Sequence, residues 1–285
     1  MRLVAAFLLT LILSLPVSAK PKLLWETKGL AQPESVVMDP ATGVLYVSNI
    51  AGAIMQKDGN GFIAKMRPDG TMIEKEWVKG LDAPSGLALH DRTLYAADVD
   101  QLVAINVASG DIIKRYPAEG ALFLNGIATD EAGTVYVSDT PTNTIWRLKD
   151  GQFEPWLTND ALNKPNGLLV EGNTLIVAPF GDMAEGGQEG KLGALLAVSL
   201  EDQSIKPLGN GEAIGNLDGL EAVEPGIYLV TDWASGGLFR VTAKGDVQRL
   251  LPLRQGNADF IYLPETNTVL IPMMMNNSLV AYKLD

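Results

Sequence analysis

Asn125 to Leu157 reads NGIATDEAGTVYVSDTPTNTIWRLKDGQFEPWL. Asn125-Gly126-Ile127-Ala128-Thr129 opens a first strand, and Glu131-Ala132-Gly133 is a turn. Thr134 to Ser138 is a second strand that ends at Asp139, and Thr144 to Leu148 is a third. Asp150-Gly151 is a hairpin signal leading into a fourth strand, Gln152 to Leu157. No helical periodicity competes with this reading.

The opening recurs along the chain as Glu34-Ser35-Val36, Ser85-Gly86-Leu87, Asn125-Gly126-Ile127, Asn166-Gly167-Leu168, Asp218-Gly219-Leu220 and Asp259-Phe260-Ile261. The steps between openings are 51, 40, 41, 52 and 41 residues. An all-β repeat of about 40 residues is the signature of a propeller blade, so the spacing predicts a six-bladed β-propeller. Second strands are expected at Val44–Ser48, Thr93–Ala97, Thr174–Ala178, Ile227–Thr231 and Val269–Pro272. The last unit has only three strands before the chain stops, while Lys22 to Thr27 is a strand with no blade of its own. The N-terminal strand should therefore complete the last blade and close the ring, leaving no exposed sheet edge.

The two long steps hold extra segments, Ala51 to Gly61 and Gly181 to Leu192, both between second and third strands. The innermost strand runs away from its opening and the second strand returns. Both insertions should rise on the face that carries the openings, as candidate walls or lids of a pocket.

The remaining composition narrows the class. Residues 1–19 have the plan of a cleaved secretory signal, with Arg2, an apolar run from Val4 to Leu15 and the small residues Val17-Ser18-Ala19. The mature chain, residues 20–285, is long enough for one large β domain and fits a monomer. No later stretch is long and apolar enough to span a membrane. There is no cysteine, which excludes disulfides, thiol chemistry and a lipid-modified cysteine anchor. The expected location is a periplasm or the exterior. Without the leader, 21 basic side chains face 34 acidic ones, a net charge of −13. Such acidity disfavours nucleic acid and favours cations or neutral small molecules.

In the predicted ring, Glu34, Asn125, Asn166 and Asp218 converge as hard oxygen ligands suited to a cation such as calcium or magnesium. Ser85 and Asp259 complete the circle. Asn-Gly and Asp-Gly are also favoured turns, so turn chemistry is the competing account of three of the six openings. Residues after the second strands face the same way: Asn49, Asp98, Asp139, Pro179-Phe180, Asp232-Trp233 and Met273-Met274-Met275. For Asp98, Asp139 and Asp232 the favoured reading is hydrogen bonding of turns. Phe180, Trp233 and Met274, with Ser85, are expected to line a substrate pocket suited to a moderately apolar ester or lactone. The single histidine, His90, lies five residues after Ser85 on the same strand, roughly 16 Å away at the opposite rim. Neither a phosphate-binding loop nor a Gly-x-Ser-x-Gly elbow is present.

The six-blade pattern with Glu34, Asn125, Asn166 and Asp218 at blade openings resembles the SMP-30/gluconolactonase/luciferin-regenerating family, and the same quartet resembles paraoxonase-type lactonases. The chain departs from the first in lacking a sugar-binding arginine and a Gly/Trp-rich setting for its glutamate, and from the second in lacking histidines near the ring. The resemblance implies a divalent cation at the top of the central channel, calcium first, with magnesium, manganese or zinc as substitutes. Its ligands would be Glu34, Asn125, Asn166 and Asp218. It implies a hydrolase of lactones or related esters, with Asp218 as ligand and activator of water and Asp259 as its substitute. The alternative is a non-catalytic periplasmic propeller that binds a small ligand or a protein on the same face.

Overall fold

The computed structural model describes residues 20–184 and 190–284. The expected secretory signal and part of the second insertion, including most of the Gly186–Lys191 run, lie outside the described residues. The described chain forms six four-stranded antiparallel sheets arranged as the blades of a propeller. The innermost strand begins one residue before its opening in the first five blades, Pro33–Met38, Pro84–His90, Leu124–Thr129, Pro165–Glu171 and Leu217–Glu224, and two residues after it in the sixth, Ile261–Leu263. Each of the first five blades is a simple meander from inner to outer strand. In the sixth, Lys22–Lys28 pairs antiparallel with Ser278–Lys283 and supplies the outer strand, as the strand count predicts. Among the described residues no helix is long and apolar enough to cross a membrane.

The core is distributed between blades rather than at a centre. A separate buried cluster fills each of the six seams between neighbouring blades. The seam that joins the ends of the ring packs Val36, Leu45 and Val47 of blade one against Ile261, Leu270 and Leu279 of blade six, as continuously as any other. The second strands are buried on both faces, which is why they read as apolar runs such as VYVS and LIVA rather than strict alternations.

Two features of the innermost strands position the functional residues. In five blades the strand register slips by one residue across the opening, between Pro33 and Val36, Pro84 and Leu87, Leu124 and Ile127, Pro165 and Leu168, and Leu217 and Leu220. A bulge of this kind interrupts the alternation of faces and re-aims the side chains within it. Glu34, Ser85, Asn125, Asn166 and Asp218 all sit in such bulges.

The second feature corrects the turn reading of the openings. Asn125-Gly126, Asn166-Gly167 and Asp218-Gly219 are not turns but lie inside strands. Their glycines are required by crowding at the axis. A Cβ on Gly126 would stand 2.3 Å from the carbonyl oxygen of Asn166, and one on Gly167 would stand 2.1 Å from that of Asp218. At these glycines the inner strand passes so close to the next strand that only hydrogen fits.

Candidate metal and substrate site

On the face that carries the openings lies a cavity of about 770 Å³. Glu34, Asn125, Asn166 and Asp218 line it together, brought from blades one, three, four and five, and all four are buried. Three of their oxygens, Glu34 Oε2, Asn125 Oδ1 and Asp218 Oδ1, are buried and have no hydrogen-bond partner. Buried polar atoms are almost always paired, so three orphaned oxygens in one cavity need an explanation.

The orientation of Asn125 follows from its neighbours. Thr140 Oγ1 donates to the carbonyl of Pro165 at 2.8 Å and so has only acceptor capacity left. Asn125 Nδ2 donates to it at 3.3 Å, which turns Asn125 Oδ1 towards the open cavity. Thr140 was not singled out from sequence. It follows a second strand, like the other wall residues, but its role depends on a contact between blades three and four.

Electrostatics add to the case. Burial holds the Glu34 carboxyl well above the ordinary carboxylate range, and the charges of Asp218 and Asp259 push it further. Asp218 is raised by burial and then by Asp259, while a hydrogen bond from the Asn166 side chain pulls it back. Glu221, which sequence reasoning passed over, is raised by burial and by Asp259. Asp259 is itself pushed up to about 6 by burial, against hydrogen bonds from Ser35 and the Phe260 amide. Four acids thus crowd one axis, an arrangement that favours either protonation or a cation.

The donor set fits a hard divalent cation. All candidate ligands are oxygens, two carboxylates and two amides, and three of them lack any other partner. Among the described residues no group of three or more His, Cys, Asp or Glu side chains is placed to hold a metal. Any ion here therefore depends on the amides of Asn125 and Asn166 as well as the acids.

Two expected site residues are not brought to this cavity. Ser85 is fully buried, and its hydroxyl donates to the carbonyl of Leu124 at 2.8 Å, stitching blade two to blade three. The residue is in register with its counterparts, but its side chain is too short to reach past the neighbouring strand. Asp259 lies below the quartet, lining a channel of about 220 Å³ with Glu221. Its Oδ2 accepts a 2.6 Å hydrogen bond from Ser35.

The other expected wall residues are in place. Phe180, Trp233 and Met274 all line the cavity, and the rings of Phe180 and Trp233 pack at 6.2 Å between centroids. Both insertions contribute to the wall, through Ile54 and Met55 on one side and Asp182 and Met183 on the other. Asp98, Asp139 and Asp232 instead clamp the loops before the openings. Asp98 accepts from the amides of Asp82 and Ala83, Asp139 from that of Phe123, and Asp232 from that of Asn216. Asn49 does the same for Ala31. These side chains set the height at which the ring residues are presented. His90 packs against the turn at Gly133, at the far end of its strand, away from the cavity.

No family model matches the sequence, and no curated protein sequence matches it. Solved structures do resemble the fold. A gluconolactonase from Xanthomonas campestris, described as important in glucose secondary metabolic pathways, superposes with a TM-score of 0.65 at 15% identity, over 91% of this chain and 88% of that one. A structure described as a candidate gluconolactonase gives a TM-score of 0.66 at 17% identity, over 95% and 93% of the two chains. Virginiamycin B lyase from Staphylococcus aureus, in a catalytically inactive histidine-to-alanine form with quinupristin, gives 0.60 at 13% identity, over 93% and 100%. At these identities the likeness establishes architecture alone: the chain is a six-bladed propeller, similar in fold to a gluconolactonase and to virginiamycin B lyase.

Proposed function

We propose that the protein is a divalent-cation-dependent hydrolase of lactones or related esters. The observation that carries this reading is the set of three buried, unpartnered oxygens, Glu34 Oε2, Asn125 Oδ1 and Asp218 Oδ1, on one cavity. Glu34, Asn125, Asn166 and Asp218 would hold the ion, calcium first by the hardness of the set. When bound, such an ion supplies polarisation of the scissile carbonyl and charge compensation for the developing oxyanion.

The chain's own residues do the rest. Phe180, Trp233 and Met274 would bind the apolar part of the substrate and exclude water from it. Asp218 would hold the ion through Oδ1, which no hydrogen bond occupies, and take the proton of the attacking water on its second carboxylate oxygen. As the acyl carbon–oxygen bond breaks, the same proton returns to the departing oxygen. Asp259, in the channel beneath, would keep Asp218 basic through its charge rather than touch substrate. A histidine-dependent lyase reaction has no support here, because the one histidine of the chain lies on the far rim. The leader-like residues 1–19 support export to a periplasm or the exterior.

Elemental analysis of the purified mature protein, with calcium titration followed by thermal shift, tests the ion site. Near-stoichiometric metal, or a saturable rise in melting temperature lost in Glu34→Gln, is expected. A lactone and ester panel, assayed with and without chelator, then tests the chemistry. Turnover should fall about a hundredfold or more in Asp218→Asn. Metal binding without turnover of any member would point to the non-catalytic binding propeller instead.

A further inference from the structure

Lys164 is the only cation among the described residues that line the cavity, and Asp182 is the only acid there besides Glu34 and Asp218. The two meet as an ion pair, Lys164 Nζ to Asp182 Oδ1 at 2.6 Å, with side chains 43% and 49% exposed. An ion pair this open to water is worth little to stability, so holding the fold together does not account for it.

The backbone beneath the pair is nonetheless tightly specified. Lys164 adopts the left-handed region, with φ of 59°, where glycine would be at ease and lysine is strained. The conformation is held from both sides. The Lys164 amide donates to Asn143 Oδ1 at 2.6 Å, and the Lys164 carbonyl accepts from the Phe180 amide at 2.7 Å. Asp182 is anchored as firmly. Its amide donates to the Lys191 carbonyl at 2.8 Å, and its carbonyl accepts from Asn216 Nδ2 at 3.1 Å. Two anchored residues thus present a weak ion pair into a largely apolar cavity, two residues from Asn166. Ammonium and carboxylate are free to exchange partners without moving the main chain.

We infer that Lys164 is a specificity-determining residue that selects substrates bearing an anionic group, a carboxylate in the simplest case, on the far end of an apolar body. This rests on the cavity being the substrate site. The ester or lactone carbonyl would face the Glu34–Asp218 ring, the apolar body would lie along Phe180 and Trp233, and the carboxylate would displace Asp182 from Lys164. Asp182 holds the lysine in place in the free protein and competes with the ligand for it. The long-range field of the chain, at net charge −12, repels anions. A local cation is therefore what an anionic ligand needs in order to enter.

The test is equilibrium binding of phenylbutyrate and of its neutral isostere phenylbutyramide to the purified protein as isolated, by titration calorimetry. Hydrolysis is not involved, so this result and the activity screen fail independently. The wild-type protein should prefer the carboxylate. Lys164→Met, which keeps a Cβ and the same backbone strain, should lower the carboxylate-to-amide affinity ratio about tenfold, the scale of one charge-assisted hydrogen bond. Lys164→Arg should keep the preference, and Asp182→Asn should increase it. No preference in the wild type, or a preference unchanged in a folded Lys164→Met protein, would overturn the assignment. A carboxylate preference that follows Lys164 in a protein without lactone turnover would leave this inference standing and remove the hydrolase reading.

Discussion

Thr140 fixes the direction of Asn125: its hydroxyl, already donating to Pro165, receives the Asn125 amide nitrogen at 3.3 Å and leaves the amide oxygen facing the cavity. Replacing Thr140 with valine removes that acceptor and frees the amide to rotate. Calcium affinity in Thr140→Val, measured by titration, should fall about tenfold, while the protein stays folded. Unchanged affinity would mean that Asn125 is not a ligand or needs no orienting.

The crowding of acids gives the metal-free protein a characteristic pH dependence. Carboxyls whose folded pKa lies above the unfolded value contribute stability that is complete below the unfolded pKa and lost as pH rises through the folded one. Asp259 at about 6, with Glu34 and Asp218 also raised by burial and by the charge of Asp259, places that loss from roughly pH 4 upward through neutrality. In chelator the melting temperature should be about 5 °C higher at pH 5 than at pH 7.5. Saturating calcium should remove or reverse the difference, because the ion binds the ionised form. A flat profile in chelator would contradict the crowding.

Glycines at the axis and in hairpins should differ in their tolerance of a methyl group. Gly126→Ala drives a Cβ against the Asn166 carbonyl and should cost about 3 kcal/mol in urea unfolding. Gly151, in a hairpin with φ of 77° and open space around it, should lose only about 1 kcal/mol as alanine. Equal costs would return Gly126 to the turn reading.

Ring closure predicts the effect of removing the N-terminal strand. Removing Lys22–Lys28 bares the edge of Ser278–Lys283. The shortened protein should melt at least about 10 °C lower and self-associate, as an unpaired strand edge invites, which light scattering would detect. A monomer of unchanged stability would mean that the clasp is dispensable.

Much of this architecture is legible in the chain because it arises from local signals. Second strands such as Thr174 to Pro179 are apolar runs, turns carry Gly or Asp, and the spacing of the openings counts the blades. The closing strand follows from simple arithmetic of strands. The wall residues Phe180, Trp233 and Met274 are equally predictable, since each follows a second strand that must return to the ring face.

What the sequence hid depends on contacts between blades. Ser85 and Asn125 occupy equivalent bulges, yet one reaches only the carbonyls of Leu124 and Ala97 and the other reaches the cavity. Gly126 looks like a turn residue until the strand of Asn166 is seen against it. Thr140, Lys164 and Asp182 carry no motif at all, because their roles rest on partners in a neighbouring strand or an inserted loop.

The sequence by itself therefore determined the blade, the number of blades, the closure and the residue types at the ring, since each is written in periodicity and strand count. Only the tertiary structure decided that Ser85 stops short of the cavity, that Asp259 lies beneath it, and that a lysine stands over it. Those outcomes are set by the close approach of six inner strands around one axis, a distance that no local stretch of sequence encodes.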